Sequence, residues 1–174
     1  MGKYCFLLPV MKVVLQYTQE VAFPFTEERL EQIAFSTLEK SGKTFSAKII
    51  ALNAIAVSME RIRELNRRYR GKDTVTDILS FGEYSGSGTA PENKRGEIFL
   101  GEIFFCPDFI KQSAAEDNIS FEHEMAYVFS HSVLHLIGFD HSDEMFTIQD
   151  KVVEEHVIYQ TKKWNSSQKV SFMH

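Results

Sequence analysis

The stretch His131-Ser132-Val133-Leu134-His135-Leu136-Ile137-Gly138-Phe139-Asp140-His141 constrains this chain more than any other. His131 and His135 are four residues apart, an offset that on an α-helix leaves two side chains about 40° apart on one face. The residues from Met125 to Phe139 are apolar nearly all round, the pattern of a buried helix. An imidazole in such a place must find a partner. Two stacked imidazoles do not easily satisfy each other, whereas one cation satisfies both. Gly138 is the residue type most tolerant of a left-handed helix stop. The chain can turn back there, and His141 can arrive from a loop as a third nitrogen ligand. Three histidines with one open position let zinc activate water, and all-imidazole ligation favours zinc. The competing reading is a set of core histidines bonded to backbone carbonyls. It requires chance to have built all three spacings.

The chain has 174 residues, enough for one domain with its own core, and the fold is expected to span 1–174 as a single unit. Hydrophobic residues at 44% and charged residues at 25% describe a globular protein. The net charge of −5 excludes a protein coated uniformly in basic residues but leaves room for a local basic patch. Cys5 and Cys106 form no C-x-x-C pair, so neither a redox motif nor a finger-type metal site is indicated, and a reducing compartment, the cytoplasm or an organelle, fits. No apolar run approaches the ~18 residues of a membrane span. The short run from Tyr4 to Met11 is interrupted by Pro9 and lacks a small-x-small cleavage site, so it reads as a strand entering the sheet. Met11 is an alternative start, with the first ten residues as an extension.

Lys12 to Tyr17 reads as a strand. Thr26 reads as a helix N-cap followed by acidic first-turn residues, and Gly42 marks that helix's end. Ser41-Gly42-Lys43-Thr44 resembles the end of a phosphate-binding loop, but Thr37 stands where its first Gly belongs, so no nucleotide cofactor is expected. Phe45 to Val57 reads as a second strand, and Ser58 caps a helix to about Tyr69 with Ile62, Leu65 and Tyr69 facing inward. Thr76 to Phe81 and Glu97 to Cys106 read as further strands, with a Gly/Ser/Pro-rich surface loop between Gly82 and Gly96. Pro107 opens a helix, Ser120 caps the histidine helix, and Asp143 opens a last helix to about Trp164, followed by a frayed tail over 165–174. The expected class is α+β: about four strands in a mixed sheet packed with helices, the metal site at the C-terminal end of a buried helix.

The histidine offsets match those of the H-E-x-x-H-x-x-G-x-x-H metalloproteases. One residue decides against peptide hydrolysis. The Glu that serves there as general base is Ser132 here. The substrate class must therefore come from elsewhere in the chain. From Arg61 to Lys72 there are five Arg and one Lys against a single Glu64. Guanidinium groups bind phosphate oxygens bidentately; the alternative is a solvated helix face whose Arg residues pair with Asp or Glu. A zinc ion polarises a phosphodiester, an Arg stabilises charge on phosphoryl oxygens, and RNA brings its own 2′-hydroxyl nucleophile. Metal plus Arg is thus a minimal site for RNA cleavage.

Glu64-Leu65-Asn66, Tyr69-Arg70-Gly71-Lys72-Asp73 and Thr76-Asp77-Ile78-Leu79-Ser80-Phe81, together with the His131 to His141 motif, resemble the YbeY family of endoribonucleases that mature ribosomal RNA. The resemblance covers roughly residues 45 to 159. It implies a single-strand-directed, zinc-dependent endoribonuclease with one Zn2+ per chain, acting on ribosomal RNA at the ribosomal subunit and in ribosome quality control. His131, His135 and His141 match the family's metal ligands, and Arg70 matches its functionally important arginine. Three residues depart from the family pattern: Ser132 where Gly is common, Phe139 for Tyr, and Gly82 where Pro is common. A non-catalytic RNA- or ribosome-binding assembly factor with structural zinc is the second reading. His123 and Glu124 read as surface residues, with Glu124 on the face of His131. Asp140 reads as a ligand-orienting carboxylate or a turn cap, and His156 as solvent-facing or paired with its acidic neighbours.

Overall fold

The computed structural model describes the backbone of residues 11–82 and 96–171 and the side chains of those up to 157. The elements in order are β1 (Lys12–Gln19), α1 (Glu27–Lys40), β2 (Ile49–Ala56), α2 (Met59–Arg70), β3 (Ile78–Phe81), β4 (Glu97–Phe105), α3 (Pro107–Glu116), α4 (Phe121–Leu136) and α5 (Asp143–Ser171). The sheet order is β1-β2-β4-β3; β1, β2 and β4 run parallel, and β3 pairs antiparallel with β4. This is the expected α+β arrangement with a four-stranded mixed sheet. The first ten residues and the loop interior, 83–95, lie outside the described residues.

Local chemistry sets the boundaries. Thr26 and Ser58 each accept a hydrogen bond from the amide three residues on, at 3.2 Å, and so start α1 and α2. The Asp77 carboxylate accepts from the Ile78 amide at 2.7 Å, and β3 begins at Ile78, two residues later than the expected Thr76. The helix read as ending near Trp164 continues to Ser171. No Gly or Pro interrupts residues 144–171, so a polar sequence alone does not stop it.

Alternating residues of β1, Val13 and Leu15, face the core, while Val14 stands on the opposite, exposed face. The core face is covered by α1 and α4, with α5 packed against both. A smaller cluster of Ile55, Val57, Ile62, Leu65, Leu79 and Cys106 seats α2. Cys106 is buried there, away from the histidine group. The β2–β4 register slips between Ala51↔Phe99 and Asn53↔Glu102, a bulge at Leu100–Gly101. Gly101 has φ +140°, and a Cβ there would sit 2.1 Å from the Phe81 carbonyl oxygen. Only glycine lets the end of β3 approach this closely, and that approach brings β3 against the last turn of α4.

His156 corrects an expectation. It is 7% exposed, and its Nε2 has no hydrogen-bond partner. It lies beside the network in which Lys40 pairs with Glu155 and the Ser36 hydroxyl donates to Glu155 at 3.0 Å, tying α1 to α5. Burial holds its pKa below the ordinary histidine value; Arg29 and Lys40 push the same way and Glu155 opposes them. The folded protein therefore resists a proton that the unfolded chain accepts near pH ~6.5. The stabilisation is full above that pH and is lost as pH falls below it. Urea midpoints of the wild type should fall between pH 7 and pH 5 more steeply than those of His156→Leu; parallel curves would remove this role.

Candidate metal centre and adjoining cleft

The Ser120 hydroxyl starts α4 by accepting from the His123 amide at 3.1 Å. The helix is enclosed by α1, α3, α5, β3 and β4, and Met125, Phe129, Val133, Leu134 and Leu136 are fully buried. Gly138, at φ +83°, then takes the left-handed stop. The Phe139 amide donates back to the Leu134 carbonyl at 3.0 Å. From α1's end, the Lys43 ammonium donates to the Ile137 carbonyl and lies 4.8 Å from the Phe139 ring centroid. The turn is thus fixed on both sides, and it returns His141 to the helix.

The three expected histidines meet. Their Nε2 atoms are 2.9 Å (His131–His135), 3.3 Å (His135–His141) and 3.2 Å (His131–His141) apart. A tetrahedral ion with nitrogen ligands at about 2.0–2.1 Å holds them about 3.3 Å from one another. The triad therefore has the size of one face of such a coordination sphere, and these residues could hold a metal ion. The far ring atoms support this. His135 Nδ1–H donates to the Phe139 carbonyl at 2.9 Å, and His131 Nδ1–H donates to Gln149 Oε1 at 3.3 Å. Each bond fixes the tautomer that leaves a lone pair on Nε2. Lone pairs turned toward one another repel, and a cation relieves that. Burial holds the pKa values of His131 and His135 below the ordinary range, which favours the neutral ligand form.

Gln149 went unrecognised in the sequence. It is fully buried on α5, and its amide also donates to the Tyr127 carbonyl at 3.4 Å. A signal existed: Met145, Ile148, Val152 and Val153 form the helix's apolar stripe, and Gln149 is the polar member of the same face. Asp140 is exposed, and the Phe139 carbonyl, not its carboxylate, tethers His135. Glu124 stands apart from the triad; it bonds Ser113 of α3, and burial together with Asp77 raises its pKa. His123 is half-buried and also outside the group.

A cleft of about 660 Å³ adjoins the triad, and Arg70, Asp77, Ser80, Ser132, His131 and His135 are among its walls. The basic cluster divides here. Arg61 pairs with Glu64 at 2.8 Å, and Arg63 makes a two-pronged contact with Asp73 at 2.9 and 3.1 Å. Arg70 makes no ion pair among the described residues; it donates to the Ser80 carbonyl at 3.3 Å and faces the cleft. Both readings of the cluster thus hold, for different residues. Asn66, buried, donates to the Thr74 carbonyl at 2.9 Å and fastens the segment that leads into β3. Tyr69 does not face inward as expected: it is 55% exposed, and Asn66 takes the core position beside Ile62 and Leu65.

The chain is similar to known proteins. The profile of the family described as Endoribonuclease YbeY matches residues 15–157. An endoribonuclease YbeY of Thermotoga neapolitana is 33% identical over 141 residues, 80% of this chain and 86% of that protein. One of Mycolicibacterium smegmatis is 30% identical over 161 residues, 87% of this chain and 88% of that protein. The solution structure of a Thermotoga maritima protein superposes with a TM-score of 0.58 at 31% identity, covering 88% of this chain and 93% of the other.

Proposed function

The chain belongs to the endoribonuclease YbeY family and is an RNA-cleaving hydrolase, and from that premise we propose a single-strand-specific, zinc-dependent endoribonuclease that processes ribosomal RNA and serves ribosome quality control. The observation that carries the reading is that Arg70, His131 and His135 line one and the same cleft. His131, His135 and His141 would hold the zinc. When bound, the ion supplies Lewis-acid polarisation of a phosphodiester oxygen. Gln149 and the Phe139 carbonyl keep two of the ligand rings turned toward it. Arg70 offers its guanidinium to the phosphoryl oxygens as their charge grows. The reacting oxygen is water or the RNA's own 2′-hydroxyl.

Among the described residues three side chains share the site, and three protein ligands are the number typical of catalytic zinc, where structural zinc takes four. That favours catalysis over a non-catalytic assembly factor. Protein stripped with a chelator should lose cleavage of a single-stranded ribosomal RNA fragment and regain it with one equivalent of zinc. Undiminished cleavage by the stripped protein would overturn the reading. Zinc that restores thermal stability without turnover would favour the assembly factor.

The tether on His131 has its own test. Gln149→Leu keeps the volume and suits the apolar face, but it frees the His131 ring. Zinc affinity, read by competition with a chelating dye, should fall about 10–100-fold, the usual cost of losing a hydrogen bond behind a ligand. The melting temperature of the metal-free protein should hold or rise. Unchanged affinity would show that packing alone orients the ring.

A further inference from the structure

Resting on the RNA-cleaving reading, we infer that Tyr69 is the platform on which an unpaired nucleobase stacks beside Arg70, and that this contact selects single strands over duplexes. Tyr69 is 55% exposed, the most exposed of the large hydrophobic side chains among the described residues. Its spacing from Ile62 and Leu65 would turn it inward, yet it stands in water at the last turn of α2. The ring is braced all the same. It meets Phe81 at 5.0 Å between centroids with planes 63° apart, and Phe81 meets Phe104 at 5.8 Å and 76°. The Arg68 guanidinium lies 5.4 Å from its centroid. A braced, exposed aromatic with one arginine over its ring and another next to it in sequence is the element that single-strand binders combine with positive charge.

Position ties it to the cleft. Arg70 is the next residue, and its guanidinium bonds the carbonyl of Ser80, the neighbour of Phe81. One nucleotide can therefore lay its base on Tyr69 and offer its phosphate to Arg70. Bases held in a duplex are stacked on each other and present no free face to a side chain. Tyr69 could instead serve only to cover Phe81. A leucine would cover Phe81 as well, but it has no π face.

The test uses the full chain as purified, a 2′-O-methyl single strand carrying 2-aminopurine, and a fully paired hairpin of the same length whose strands are joined by a non-nucleotide linker, with fluorescence read within seconds of mixing. Tyr69→Leu should weaken single-strand binding by roughly tenfold and abolish the quenching of 2-aminopurine. Tyr69→Phe should retain both, and hairpin affinity should be equal in all three proteins. Thermal melts of both variants should match the wild type, since the side chain is exposed. The inference is overturned if Tyr69→Leu binds single strands as the wild type does, or if it loses hairpin binding by the same factor. Should the wild type bind neither RNA, the RNA reading of the cleft fails, and this inference fails with it.

Discussion

His135→Ala is expected to reduce RNA cleavage to background, a loss of roughly a thousandfold or more, while leaving the fold intact. The polar-charge stabilisation that a bound metal provides is worth several kcal/mol, so a protein without it retains almost no rate. Of the three histidines, His135 is the one whose loss should damage the site most. Its Nε2 lies 2.9 Å from that of His131 and 3.3 Å from that of His141, and its Nδ1 is the one fastened to the turn that carries the third ligand. Two nitrogens would remain. Apparent zinc affinities of about 10–16 kcal/mol for four-ligand sites imply about 3 kcal/mol per ligand, so zinc binding should weaken by roughly 100-fold. Folding should survive, because alanine is the best helix former and the imidazole is only half-buried. Metal titration, circular dichroism and a cleavage assay on one preparation check all three. Cleavage that survives the substitution would mean a contaminating nuclease or a second active site.

The triad was legible in the sequence because its spacing is a backbone property. Offsets of four, three and three residues around a glycine stop can be counted, and an apolar surround makes a lone imidazole costly. The residues that aim the rings were not legible in the same way. The Phe139 carbonyl carries no side-chain signature, and Gln149 lies 18 residues from His131, brought close only by the packing of α5 on α4. His156 was misread through its neighbours Glu154 and Glu155; counting by helical turns from Gln149 and Val152 places it on the buried face, where it lies. Tyr69 was misread the other way. Its spacing suits the core, but the cluster beneath α2 stops at Leu65, and Asn66 is drawn inward to bond Thr74. The sheet was read in outline from β-branched and apolar runs, but the bulge at Gly101 depends on contacts between β3, β4 and α4 that no local pattern records.

Arg70→Ala should lower kcat by roughly 10²–10³-fold, the loss seen when one preorganised donor to a developing oxyanion is removed, with zinc content unchanged. The prediction depends on the division within the basic cluster. Arg63 is engaged by Asp73, a contact that holds the carboxyl of Asp73 below its ordinary range. A phosphate would have to displace that partner. Among the described residues Arg70 has only the Ser80 carbonyl to leave, and it lines the same cleft as His131 and His135. Arg63→Ala should therefore leave kcat near the wild-type value, although it alters charge as much as Arg70→Ala does. Arg70→Lys should recover only part of the rate, because an ammonium is a point charge without the planar fork that grips two oxygens. The partition between kcat and KM decides what the guanidinium does. Loss confined to kcat places its contact in the transition state. A rise in KM alone would make Arg70 a substrate anchor and leave the rate enhancement to the histidine-held ion. Equal losses in Arg63→Ala and Arg70→Ala would show that the cluster acts as a diffuse positive surface, and the singular role of Arg70 would be gone.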